Sequence, residues 1–281
     1  MILLKKVTDL CNWLESQGKK RNKIGFVPTM GALHPGHISL VEYSKKENEI
    51  TVASIFINPT QFNDPKDFKK YPITIEKDID MLERAGCDVL FLPAVKEIYP
   101  DGTAAKKHYD LGFLETVLEG KYRPGHFQGV CMVVERLLDT VNPGNLYLGQ
   151  KDYQQCMVIT RLVELMKQKI KVNICPTLRE ADGLAMSSRN MRLTAEQRKT
   201  SVTIYNCLAS IKKKIKPGIT NGLEREAIAM VEKAGFKIDY IEIADANNLS
   251  PINNWDGKQK IVALIAAFLD EVRLIDNMLL N

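Results

Sequence analysis

No cysteine of this chain has another within three residues: the six stand at positions 11, 87, 131, 156, 175 and 207. That scatter excludes a C-x-x-C redox motif, and without a secretory context the thiols read as reduced, mostly buried small hydrophobes. Histidine is scarcer still, and His34, His37, His108 and His126 have no cysteine or glutamate at zinc-ligand spacing. No protein-borne metal is expected. The chain also lacks G-x-S-x-G and G-x-x-x-x-G-K-[ST], which sets aside a serine-hydrolase elbow and a P-loop. Its longest strongly apolar run, IVALIAAFL at 261–269, is about half of the roughly 20 residues that a membrane-crossing helix needs. Lys5 and Lys6 follow Ile2-Leu3-Leu4 directly and no small-residue cleavage site comes after a long apolar stretch, so a signal peptide is not expected. A cytoplasmic location with no membrane partner is the expectation, and no internal repeat or low-complexity segment is visible.

The composition is that of an ordinary globular protein, 45% hydrophobic and 26% charged over 281 residues, a length that fits two domains or one large α/β unit. A formal charge of +5 suits small anionic substrates and is too mild to demand nucleic acid. The densest basic cluster, KKKIK at 212–216, closes a helical pattern, where lysines complement the C-terminal dipole and stay solvated. No nucleic-acid partner is expected.

Residues 24–37, IGFVPTMGALHPGH, read as strand, phosphate loop and helix start. Ile24, Phe26 and Val27 make a short buried strand, Gly25 fits a close backbone approach, and Pro28 is expected to end the ladder for want of an N–H. The turn through Gly31 and Gly36 leads into ISLVEYSKK, apolar at helical spacing, whose N-terminal N–H groups attract phosphate. His34 and His37 stand at that threshold, able to bind anionic oxygens or donate protons, although so short a motif also arises by chance. Further along, ITVASIFI at 50–57, CDVLFLP at 87–93, NLYLG at 145–149 and KVNICP at 171–176 read as strands. They alternate with helices over 73–86, 128–141 and about 153–167, which predicts a Rossmann-like, doubly wound parallel sheet with ligands over the carboxyl ends of its strands. Past Pro176 the texture changes. A helix opened by Thr194 and reaching the lysine cluster, a second near 221–234, and strands KIDYIEIAD and IVALIAAFL predict a smaller α+β domain. The division expected is 1–177 and 178–281.

Four further segments carry chemistry. In NPTQFNDPKDFKKYP, 58–72, Asn58-Pro59 makes a turn, and Gln61 is either part of it or a substrate contact; Tyr71 reads as packing. In GKYRPGHF, 120–127, Lys121, Arg123 and His126 form either an anion-binding loop or a solvated hairpin. In YLGQKDYQQ, 147–155, Gly149 permits close approach to a base or phosphate, Lys151 offers a mobile cation, and Asp152 caps the helix or helps hold Mg²⁺ through water. Gln154 and Gln155 cannot face the same way on a helix, so one at most reaches a site. In GLAMSSRN, 183–190, Ser187, Ser188 and Arg189 can bind phosphoryl oxygens.

Together PTMGALHPGH, FINPTQF, RPGHFQGV, YLGQKDYQQ and GLAMSSRN, over most of residues 24–190, resemble the pantothenate synthetase (pantoate–β-alanine ligase) family in order and spacing. RLIDNMLL at 273–280 resembles the family's ending. The resemblance implies the nucleotidyltransferase superfamily, shared with class I aminoacyl-tRNA synthetases, whose ATP motifs the H-x-G-H and S-S-R segments resemble. It implies an ATP-dependent ligase of pantothenate biosynthesis that joins pantoate to β-alanine through a pantoyl adenylate, releasing AMP and pyrophosphate. Mg²⁺ would accompany ATP, the protein would be a homodimer, and the second domain would serve as a lid, with Gly183 in the connecting region. Carried over position by position, Met30, Gly31, Ala32, Leu33, His34, Pro35, Gly36, His37, Gly149, Gln150, Lys151, Asp152, Leu178, Met186, Ser187, Ser188 and Arg189 line ATP. Gln61 and Gln155 match the pantoate-binding glutamines, with Gln61 also near β-alanine. His37 matches the proton donor, and His34 and Lys151 would join it in stabilising charge. Position 35 is proline where relatives commonly carry a polar residue, and it is expected to shape the turn without touching chemistry. Competing readings are a nucleotidyltransferase acting on a phosphate ester without amide formation, and an RNA-binding module on a relict nucleotide fold, which the mild charge disfavours.

Overall fold

The computed structural model describes residues 1–18, 21–63, 65–105 and 107–281, so Asp64 of the 58–72 loop lies outside the described residues. Runs rich in β-branched residues form a six-stranded parallel sheet of β1 (Ile2–Leu4), β2 (Ile24–Thr29), β3 (Ile50–Ile55), β4 (Val89–Phe91), β5 (Asn145–Gly149) and β6 (Lys171–Cys175). Around it lie α1 (Val7–Ser16), α2 (Pro35–Glu47), α3 (Pro65–Lys69), α4 (Ile75–Arg84), α5 (Val95–Ile98), α6 (Leu118–Tyr122), α7 (His126–Val141) and α8 (Tyr153–Leu165).

Alternate residues of one strand serve two layers. On β3, Ile50 and Val52 join a core with Leu10 of α1, Leu138 of α7 and Ile159 of α8, while Ala53 and Ile55 join another with Val41 of α2 and Leu82 of α4. Helices therefore cover both faces, as the expected doubly wound fold requires. Helix α2 lies so close over β2 that a Cβ at Gly25 would collide with the Ser44 side chain. The strand order β1-β4-β3-β2-β5-β6 reverses between β2 and β5, and the crevice outside the carboxyl ends of two such strands is where open α/β sheets bind ligands.

Strand β2 continues through Pro28 and Thr29, contrary to the expectation that Pro28 ends it. The reason is directional. The Ile24 carbonyl accepts from Gly144 on the β5 side and the Thr29 carbonyl from Phe56 on the β3 side. Alternation places Pro28 with Ile24, facing β5, where pairing already stops at Phe26 and Leu146, so its missing N–H costs no ladder bond. The N-terminal segment, read from sequence only for a leader, supplies the edge strand β1, paired with β4.

The chain divides into two units, Met1–Gly149 with Gln155–Pro176, and Gln150–Gln154 with Thr177–Asn281. The short segment Gln150–Gln154 thus belongs to the second unit although it lies inside the 1–177 stretch. In that unit α9 (Ala195–Ser201), α10 (Thr203–Lys214) and α11 (Asn221–Lys233) accompany a ribbon of β7 (Gly218–Ile219) and β9 (Asn254–Trp255). They also accompany an antiparallel sheet, ordered β11-β10-β8, of β8 (Lys237–Asp245), β10 (Ile261–Leu269) and β11 (Val272–Leu279). Strand β11 escapes a search for apolar alternation because Asp276 and Asn277 are buried within it. The single helix expected from Thr194 to the lysines is two, meeting at Val202, where the Ser201 hydroxyl donates back to the Arg198 carbonyl at 2.7 Å and competes with the helix ladder. Its start is as expected: Thr194 and Gln197 exchange bonds of 2.9 and 3.2 Å in a capping box. No helix among the described residues is long and apolar enough to cross a membrane.

Candidate active site

The H-x-G-H loop leaves β2 through two left-handed residues, Gly31 at φ 82° and Ala32 at φ 50°. Only glycine suits the first, since a Cβ there would stand 3.0 Å from Ile55 and 3.1 Å from Asp78. At Ala32 the conformation costs about 1 kcal/mol or more and needs an anchor. Asp78 of α4 supplies it. Fully buried, its carboxylate accepts from the backbone N–H of Ala32 at 2.9 Å and of Leu33 at 2.8 Å, and from the Thr74 hydroxyl at 2.9 Å. Charge-assisted bonds of this kind are the strong ones.

This changes how the loop can hold an anion. The amides of Ala32 and Leu33 are spent on Asp78, the His34 amide lies 3.4 Å from His37 Nδ1, and the His37 amide donates to the His34 carbonyl at 2.8 Å. Ala32 and Leu33 are buried, and Pro35, first residue of α2, has no N–H to give. Few of these backbone donors are thus left for an anion at the threshold where the two imidazoles stand. Their ring centroids are 4.0 Å apart. Because His37 Nδ1 accepts from the His34 amide, neutral His37 carries its proton on Nε2, as a donor.

Gln61 sits in a short 3-10 turn, Pro59–Gln61, beside Met30, whose Sδ its amide approaches at 3.0 Å. Asn58, almost wholly buried, donates to Gln61 Oε1 at 3.1 Å and to the Gly129 carbonyl at 3.1 Å, and accepts from Tyr99 at 2.8 Å. Burial pushes the Tyr99 phenol up, so it remains a donor. The GKYRPGHF segment, read as an anion loop or a solvated hairpin, supports this turn instead. His126, buried at the start of α7, donates from Nδ1 to the Gln61 carbonyl at 2.8 Å and meets Arg123 Nη1 through Nε2 at 3.1 Å. Lys121 is exposed. Tyr71 is buried against Phe62, with centroids 5.9 Å apart, in keeping with a packing role. At the end of β5 a Cβ on Gly149 would meet nothing within 4 Å, and Gln155 is half-buried where Gln154 is buried. The first unit thus carries Met30–His37, Gln61, Gly149 and Gln155.

The second unit carries the rest. The Met186 amide donates to the Leu178 carbonyl at 3.1 Å, bringing those two residues together. Ser187 caps the 3-10 turn Ser188–Arg192 by accepting from the Arg189 amide at 3.3 Å; Ser188 is buried and Arg189 half-buried. Lys151 and Asp152 lie on the 3-10 turn Gln150–Asp152, with the Lys151 ammonium 3.6 Å from the Asp152 carboxylate. Gly183 is not a connecting residue: it lies inside this unit at φ 93°, in a tight turn where a Cβ would collide with the Tyr205 ring.

Sequence alone offers no reading of Asp78 or of the use of His126, and it assigns Asn58 its turn but not its hold on Gln61. Asp78 did leave a signal, a carboxylate on the Ile75–Ile79–Leu82 stripe of an otherwise amphipathic helix. All six cysteines are free.

A family model described as pantoate-beta-alanine ligase matches residues 2–279. A pantothenate synthetase of Cytophaga hutchinsonii is 44% identical over 289 residues, covering 100% of this chain and 99% of the relative. One from Flavobacterium psychrophilum is 43% identical with full coverage of both, 100% and 100%. Among solved structures, a pantothenate synthetase of Thermus thermophilus superposes with a TM-score of 0.87 at 39% identity, covering 100% of this chain and 99% of that one. The pantoate-beta-alanine ligase of Francisella tularensis, complexed with beta-gamma ATP and beta-alanine, gives 0.84 at 40% identity, covering 100% and 98%. Likeness of this degree from end to end, on a fold with paired imidazoles at its switch point, means that the chain belongs to the pantoate–β-alanine ligase family.

Proposed function

We propose that the chain condenses pantoate with β-alanine at the expense of ATP, through a pantoyl adenylate, releasing AMP and pyrophosphate. What supports this most is the match to the pantoate–β-alanine ligase family over residues 2–279, beside which the His34–His37 pair beyond β2 can offer imidazole donors to an anion. A carboxylate does not condense with an amine in water, because it is a poor electrophile, so it must first be activated. A pantoate oxygen attacks the α-phosphorus of ATP, the bond to pyrophosphate breaks, and charge builds on the leaving and non-bridging oxygens. His37 Nε2–H, His34, Lys151, Ser187, Ser188 and Arg189 stabilise that charge. The β-alanine amine, in its free-base form, then attacks the acyl carbon, AMP leaves with the bonding pair, and the nitrogen loses its proton. Gln61 and Gln155 hold pantoate by hydroxyl and carboxylate, and Gln61, fixed by Asn58 and His126, presents the same edge to β-alanine.

Among the described residues no three of His, Cys, Asp and Glu converge into a metal cage. A Mg²⁺ ion carried in on the nucleotide fits this, since it keeps its waters and needs one or two carboxylates, and Asp152 would be one. Bound there, it would neutralise polyphosphate charge. The 1–177 stretch would bind ATP and pantoate, with 178–281 as a lid that excludes water from the adenylate. A homodimer in the cytoplasm completes the reading, with six free thiols suiting a reducing compartment. Mass spectrometry of products from ATP, Mg²⁺, pantoate and β-alanine tests it: pantothenate and AMP are expected, and ADP or an adenylylated phosphate ester would contradict it.

A further inference from the structure

Gln150–Gln154 follows β5 in sequence yet belongs to the second unit. Asn277 accounts for that. On β11 and 2% exposed, it donates from Nδ2 to the carbonyls of Gln150 at 2.9 Å and Lys151 at 2.8 Å, while Gln150 Nε2 donates to its Oδ1 at 3.3 Å. An amide nitrogen has two hydrogens, so each carbonyl takes one. The turn runs directly into α8, and this side chain ties its first two carbonyls to β11. The Tyr153 hydroxyl adds a second tether, donating to the Ala246 carbonyl at 2.6 Å.

Asn277 is itself fixed from two sides. Its backbone amide donates to Asp276 Oδ1 at 2.8 Å, and its carbonyl accepts from Arg179 Nη2 at 3.1 Å. Arg179 grips the Asp276 carboxylate with both Nη atoms, at 2.6 and 3.1 Å, and donates also to the Gly183 carbonyl at 3.1 Å. Burial pushes the Asp276 carboxyl up and the Arg179 fork opposes it, with the Lys151 charge helping. A buried amide in a strand is costly unless every bond is made, and here donors and acceptor are all engaged.

We propose that Asn277 is a positioning residue for Lys151: by clamping the carbonyls of Gln150 and Lys151 it fixes the backbone from which the ammonium reaches the phosphates of ATP. The inference rests on the reading of Lys151 as a polyphosphate ligand. It assigns a task to the RLIDNMLL segment beyond closing a sheet.

The test is calorimetric affinity for a non-hydrolysable β,γ-analogue of ATP in four full-length proteins: unaltered, Asn277→Ala, Lys151→Ala and the double variant. Lys151→Ala should weaken binding about tenfold or more, and Asn277→Ala about three- to tenfold. In the Lys151→Ala background the Asn277 change should add less than about twofold, since no ammonium remains to be misplaced. Equal losses in both backgrounds would overturn the proposal, and so would a folded Asn277→Ala protein of undiminished affinity. Normal binding by Lys151→Ala would instead remove the reading of Lys151, an outcome distinct from failure of the clamp. Should Asn277→Ala not fold, Asn277→Thr, β-branched and fit for a strand, replaces it in the same set; its hydroxyl donates to one carbonyl at most, so a smaller loss with the same dependence on Lys151 is expected.

Discussion

The H-x-G-H loop and the Gln150–Asp152 turn are held by opposite devices. In the first, consecutive amides converge on a buried carboxylate, Asp78; in the second, consecutive carbonyls converge on a buried amide, Asn277. The polarity follows from the backbone. Left-handed residues at 31 and 32 turn N–H groups inward, whereas the 3-10 turn presents the carbonyls of Gln150 and Lys151 to β11. Each anchor stands far from its loop in sequence, and each serves residues proposed to meet the nucleotide. The anchors differ in what their loss leaves behind: without Asp78 a strained backbone loses the charged acceptor of two amides, and without Asn277 an unstrained turn loses two donors.

Asp78→Ala should therefore have the largest effect on folding. Two buried amides lose their acceptor at about 1–3 kcal/mol each, so urea denaturation should show a loss of roughly 2–6 kcal/mol, with Asp78→Asn losing less because one acceptor oxygen remains. An unchanged midpoint for Asp78→Ala would break the contrast. His37→Ala leaves both anchors in place and costs the fold only the long bond from the His34 amide. Adenylate formation should fall at least about a hundredfold, about 2.7 kcal/mol, in a protein that still folds. Full single-turnover activity would remove His37 from the mechanism.

Gln155→Ala touches neither anchor and should cost about 1–3 kcal/mol in pantoate use, with ATP affinity nearly unchanged. Calorimetry that found ATP affinity lost and pantoate affinity intact would reverse the roles. The smallest expected effect is none. Burial pushes the thiols of Cys87, Cys175 and Cys207 up to about 11 and that of Cys131 to about 12. Below those values they are protonated and poor nucleophiles, so brief exposure of the native protein to iodoacetamide at about pH 8 should leave these four unlabelled and activity intact.

The elements legible in sequence are those whose cause is local. NLYLG, KIDYIEIAD and IVALIAAFL form β5, β8 and β10 with the expected ends, and Thr194 makes its capping box with Gln197. The break at Val202 and the strand β11 are not legible, the first because a side chain competes with the ladder, the second because buried Asp276 and Asn277 interrupt its apolar pattern. The site divides the same way. The proposed site residues His34, His37, Gln61 and Lys151 stand in or beside turns whose composition singles them out, whereas Asp78 and Asn277 act on backbone atoms 45 or more residues away, a distance no local pattern encodes.

In the proposed mechanism the phosphate-binding residues complete adenylation before the amine takes part. Isotope exchange between labelled pyrophosphate and ATP, measured with pantoate present and β-alanine absent, tests it most directly. Exchange that depends on pantoate and is lost in His37→Ala is expected. No exchange from a protein that still makes pantothenate and binds pyrophosphate reversibly would contradict it.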